Sequence, residues 1–140
     1  MVETRRNKSQ KSSKRTNLSL TWWFGAGFFI WLLATIALAI VGDMFLERGV
    51  VVYALFTFFT CGGFIALFFV LTRWRKVNGS QVLPAAAAFS VAGMLGEVPV
   101  MLTYPSLVPA LSTSSTGFYA AFLFLGYAAL LAMGIRMHGQ

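Results

Sequence analysis

Residues 50–76 read VVVYALFTFFTCGGFIALFFVLTRWRK, and the change of character at Arg73 decides the fold. From Val50 to Thr72 no side chain carries a charge. At helical rise, about 1.5 Å per residue, that run is about 35 Å long, which is enough to cross the ~30 Å hydrocarbon core of a bilayer. Arg73, Arg75 and Lys76 then mark where the chain leaves it. Working outward, three more runs of the same kind appear: Leu20–Val41, Val82–Thr103 and Phe118–Met137. The expected fold class is therefore all-α, a four-transmembrane-helix bundle over residues 18–140, preceded by a basic tail.

The cations give the bundle a direction. Arg5, Arg6, Lys8, Lys11, Lys14 and Arg15 precede the first run, Arg73, Arg75 and Lys76 lie between the second and third, and Arg136 ends the fourth. Only Arg48 falls on the other side. Lys and Arg collect in short cytoplasmic loops. The expectation is a multi-pass protein of the cell (inner or cytoplasmic) membrane with both termini cytoplasmic. Residues 1–17, MVETRRNKSQKSSKRTN, bury nothing and are expected to be disordered and dispensable for folding.

Composition narrows the function classes. A chain that is 58% hydrophobic is no ordinary soluble domain, and its net charge of +7 follows mostly from the inside bias rather than from nucleic-acid binding. The expected partners are the lipid bilayer and its anionic headgroups, met by the tail cations together with Arg73, Arg75 and Lys76. Cys61 is the single cysteine, so dithiol redox chemistry, including that of a quinone-linked thiol oxidase, is excluded. Ala37-Leu38-Ala39 resembles a signal-peptide cleavage site, but the long first run and Trp22-Trp23 at its inner edge favour a retained helix.

The connections differ. Gly42–Gly49 reads as a short solvated cap. The charge-free stretch 104–117, with Pro105 and Pro109, reads as a short helix or re-entrant piece on the outer rim. Small residues mark helix contacts: Ala88, Ala92 and Gly96 in segment three, Ala128 and Ala132 with Gly126 and Gly134 in segment four, Gly62-Gly63 in segment two, and Gly25 and Gly27 in segment one. Intramolecular packing is the first use of these seams; a homo-oligomer or a larger membrane complex is the alternative.

Glu97 is the sharpest single residue, the one carboxyl well inside a segment and about 10 Å from Tyr104 at the outer edge. A carboxyl at that depth faces protein or water and marks a candidate site. Pro99 leaves the Leu95 carbonyl without its helical partner. Tyr53, Thr57, Tyr104 and Tyr127 are the hydroxyls within expected reach, and Asp43 and Arg48 stand at the outer mouth, where an Arg48–Glu97 or Arg48–Asp43 pair is open. The plainer reading is a carboxyl hydrogen-bonded to a Tyr or Thr of a neighbouring helix. No catalytic set, metal site or cofactor motif is present in the sequence, and His138 reads as an exposed side chain.

Three stretches, Ile30-Trp31-Leu32-Leu33-Ala34-Thr35, Ala92-Gly93-Met94-Leu95-Gly96-Glu97, and Tyr104-Pro105-Ser106-Leu107-Val108-Pro109 with Gly126-Tyr127, resemble a family of small bacterial four-helix membrane proteins of unknown function. The resemblance spans about residues 20–137 and implies the architecture and an acid at Glu97, with no known activity. The expected role is non-enzymatic: an accessory, assembly or helix- and lipid-interaction protein. The alternative is a small proton-coupled transporter of apolar cations using Glu97. That reading resembles the small multidrug exporters, but the carboxylate sits in segment three rather than one, and the charge bias opposes inverted insertion.

The cation partition predicts that a cysteine placed by Ser80→Cys, in a Cys61→Ala background, resists membrane-impermeant maleimide until the cells are permeabilised. Modification of intact cells would overturn the orientation.

Overall fold

A computed structural model describes residues 18–46, 48–103 and 116–138. The helices are α1 (Leu20–Val41), α2 (Asp43–Leu46), α3 (Val50–Trp74), α4 (Gly79–Leu102) and α5 (Thr116–Met137). The described fold is all-α with no strand, and α1, α3, α4 and α5 are each long and apolar enough to cross a membrane. The tail 1–17 and the stretch 104–115 lie outside the described residues, and with them the expectations placed there.

Local chemistry sets the helix ends. The Ser19 hydroxyl caps α1 by accepting from the Trp22 amide at 3.3 Å, which satisfies an amide that has no partner within the helix. Gly49 enters α3 at φ 107°, a conformation that favours glycine. At the other end of α3 the Val77 amide donates to the Thr72 carbonyl at 3.0 Å and the Lys76 amide to that of Arg73 at 3.1 Å. This paired C-cap puts the residue after the cap in the left-handed region, usually as glycine. Here it is Lys76, at φ 50°, where a side chain costs roughly 1–2 kcal/mol. Polar Gly79-Ser80-Gln81 start α4 three residues earlier than the apolar pattern alone indicates, and this brings Pro84 inside the helix.

The side-chain pairs give the packing order. α1 lies along α4 in parallel: Gly27 meets Phe89 and Trp31 meets Gly96, and Leu38 and Val100 share one cluster. α4 and α5 are antiparallel, with Tyr119 reaching Glu97, and with Tyr127 at Gly93 and Gly134 at Ala86. α3 runs parallel to α5 through Tyr53–Phe118 and Phe56–Phe122, with ring centroids 5.0 and 5.4 Å apart. Near the start of α1, Trp23 packs on Phe68 at 5.4 Å, which joins α1 to α3. α4 is the hub: half of its most apolar stretch is buried, against 11% for α1 and for α3.

Two features depart from the sequence reading. The Gly42–Gly49 turn is more than a solvated cap: Leu46 of α2 is buried and Phe45 stacks on Phe56 at 4.9 Å, because Met44-Phe45-Leu46 has apolar surface to cover. Among the expected seams, Ala92, Gly93, Gly96, Gly134 and Gly27 sit at contacts, whereas Gly25, Gly62 and Gly63 face open space and Ala128 and Ala132 are exposed. α3 holds its neighbours through large rings rather than through close backbone approach.

This division gives a paired expectation. A Cβ on Gly96 would stand 2.6 Å from the Trp31 ring, and one on Gly27 would collide with the Phe89 backbone. Gly96→Leu or Gly27→Leu should lower the melting temperature in detergent, an overpacking cost of about 1–3 kcal/mol. Gly62→Ala and Gly63→Ala should be neutral or stabilising, since only helix propensity changes. Equal losses at all four positions would contradict the packing order.

Candidate functional site

Glu97 is 7% exposed and lies on the contact face of α4, directly after the small position Gly96, over which Trp31 approaches, and one turn beyond Gly93, which receives Tyr127. On one side Trp31 of α1 lies flat over Gly96 and its Nε1–H donates to Glu97 Oε1 at 2.7 Å. On the other, the Tyr119 hydroxyl of α5 donates to Glu97 Oε2 at 2.8 Å. Each carboxyl oxygen is therefore claimed by a different helix. The glycines are part of the site: Gly96 provides the space for the indole, and no side chain at that position fits beneath it.

The chemistry of the two donors differs. An indole N–H can only donate, whereas a phenol hydroxyl donates or accepts. The arrangement accommodates either form of the carboxyl, with Oε1 always accepting from Trp31 and the Tyr119 hydroxyl turning to match the other oxygen. All three groups need one another at this depth, because an unpaired polar group in hydrocarbon costs several kcal/mol. Each hydrogen bond contributes about 0.6–1.7 kcal/mol by the measure of membrane proteins.

Beside the carboxyl lies a cavity of about 50 Å³. It is lined by Glu97, Trp31 and Tyr127 among apolar neighbours such as Phe64, Phe89 and Phe122. By volume it holds about three waters, but its walls offer few polar partners. The Tyr127 hydroxyl end rests against Gly93.

The sequence-derived set is only partly assembled here. Glu97 and Tyr127 border one cavity. Pro99 follows on the exposed side of α4, and its carbonyl accepts from the Thr103 hydroxyl at 2.6 Å. Tyr53 is elsewhere, donating to the Phe118 carbonyl at 3.1 Å and tying α3 to α5. Thr57 is buried on α3 with no hydrogen-bond partner for its hydroxyl. Arg48 is exposed, and neither Glu97 oxygen is held by it. Asp43 belongs to α2 with its side chain outside the description, and Tyr104 is outside the described residues. Sequence reasoning left Trp31 out of the site and placed Tyr119 only near the rim. The signal for Trp31 was present: it is the one Trp far from any segment end, so its N–H needed a partner in the membrane.

Four membrane-length helices, three of them tied through one carboxyl, make this a small multi-pass membrane protein. Residues 44–140 match the family of unknown function DUF5367, and the chain belongs to that family. The match takes in Glu97 and Tyr119 but not Trp31, nor the Ile30–Thr35 stretch of the sequence resemblance. No curated protein and no solved structure matches the chain.

The clamp predicts unequal substitutions. Trp31→Phe and Tyr119→Phe should each destabilise the detergent-solubilised protein by about 1 kcal/mol. Glu97→Leu should cost more than either, since it removes the acceptor of both bonds. Denaturation by a graded anionic detergent reads these losses, and a Tyr119→Phe protein indistinguishable from wild type would refute the clamp.

Proposed function

We propose that this chain is a non-enzymatic integral protein of the cell membrane, with both termini cytoplasmic, that acts through helix and lipid contacts as an accessory or assembly subunit. The observation that carries this reading is the full engagement of Glu97: both carboxyl oxygens are held by side chains of other helices. A carboxyl used in that way is a fastener. The wide apolar faces of α1 and α3, including Phe29, Ile40, Phe58, Phe59 and Val70, are exposed on the bundle surface and suit lipid or the helices of a partner. A second copy of the chain is one such partner. Anionic headgroups are the partners of the basic residues.

A second reading is favoured by one feature, the cavity that Glu97 shares with Trp31 and Tyr127. Aromatic walls beside a carboxyl suit an apolar cation, and a proton-coupled transporter would exchange such a cation for a proton at Glu97. It would have to release at least one of the two donors in each cycle.

The readings diverge at Glu97→Gln. The amide oxygen can accept from Trp31 while its NH₂ donates to the Tyr119 oxygen, so a fastener keeps its fold and its cellular role. A transporter loses the titrating group and with it all activity. In wild type, carbodiimide labelling of Glu97 should be slow and indifferent to tetraphenylphosphonium. Rapid labelling blocked by that cation would reject the accessory role in favour of transport.

A further inference from the structure

At the end of the bundle opposite Glu97, a small polar crevice opens between the start of α1, the end of α3 and the start of α4. Ser19, Trp23, Arg75, Lys76 and Gln81 form most of its wall. Its volume is about 30 Å³, enough for about two waters or for the free oxygens of one phosphate group.

Several independent features give it the character of an anion site. Two cations line it, and among the described residues no acid balances them: Asp43 and Glu97 belong to the other half of the bundle, and Glu3 and Glu47 lie outside the described residues. The Arg75 guanidinium lies over the Trp22 ring at 4.7 Å, which fixes its plane and leaves its N–H fork for a bidentate oxyanion. Ser19 and Gln81 belong to the first turns of α1 and α4, so two helix N-termini add partial positive charge. The Ser19 oxygen accepts from Trp22, and its hydrogen remains to donate. Lys76 occupies the strained left-handed position at φ 50°, where glycine would be more comfortable. Strain of this kind collects where a side chain has work to do.

The surroundings indicate the source of the anion. Trp22 packs on Trp23 at 4.9 Å and on Trp74 at 6.3 Å, and Trp74 is 70% exposed. Such a belt marks the headgroup level of a bilayer, so the crevice opens where lipid phosphates lie. We propose that it binds the phosphate group of an anionic phospholipid through Arg75 and Lys76. This rests on the lipid-contact reading above and gives it one defined site. Arg73, though adjacent in sequence, lies over Phe69 at 5.7 Å and has no part in the crevice.

Native mass spectrometry of the full chain in detergent, titrated with dioctanoyl phosphatidylglycerol, dioctanoyl phosphatidylcholine or inorganic phosphate, tests the assignment. Wild type should prefer phosphatidylglycerol. Arg75→Gln with Lys76→Gly should weaken that binding by roughly thirtyfold, whereas Arg73→Gln should change it by less than about fivefold. Lys76→Gly alone relieves the strained turn, so the fold is kept, and it should show about a fivefold loss. A loss at Arg73→Gln as large as that of the double variant would overturn the site. Inorganic phosphate binding as tightly as phosphatidylglycerol would overturn the lipid source. A headgroup preference that survives the double variant sinks the crevice and leaves the general lipid reading intact; no preference in wild type removes both.

Discussion

One carboxyl shared between two aromatic donors holds this bundle in register. Water competes weakly at that depth, so a polar group inside hydrocarbon must find its partners within the protein. Glu97 needs donors, the Trp31 indole needs an acceptor, and Tyr119 needs either. Meeting all three needs at once fixes α1, α4 and α5 relative to each other along the axis as well as around it. Apolar packing alone would not do so, since lipid tails and leucine side chains are equally apolar. Gly96 follows from the same requirement: a side chain there would take the space of the Trp31 ring that reaches the carboxyl.

The inverse relation between apolarity and burial has the same origin. α4 is the least apolar of the four long helices and the most buried. In a soluble bundle the most apolar helix would take the centre. In lipid the apolar helices gain nothing by hiding, and the centre goes to the helix whose small side chains permit close contact. Ala85, Ala86, Ala92, Gly93 and Gly96 give α4 that property.

This accounts for what was legible in the sequence. The four spans follow from composition and hydropathy, and the α1 span coincides with its apolar run. Glu97 stood out because a carboxyl in a membrane span is rare. Its partners were harder to find. Tyr53 and Thr57 share the outer half with Glu97, but depth alone does not give the rotation of α3, and α3 presents them to α5 and to its own packing face instead. Gly62 and Gly63 misled for a related reason: glycine permits close approach without compelling it. Trp31 was recoverable by matching needs, since an indole N–H can only donate and Glu97 is the one carboxyl inside a span.

The two ends of the bundle are secured by different chemistry. At one end, neutral aromatic donors meet a carboxyl inside the protein, and the contact is insulated from salt. At the opposite end Trp22 packs on Trp23 and Trp74, and the Arg75 guanidinium lies over the Trp22 ring. The buried contact at Glu97 is shielded from solvent ions, whereas the exposed cation–ring contact of Arg75 is open to screening by salt. α3 spans both regions and touches α1 and α5 mainly through ring tips, at Phe68 near one end and Tyr53 and Phe56 near the other. Of the four long helices it is the one whose position the lipid environment has most scope to influence, because no close backbone contact or buried polar bond ties its middle to the hub.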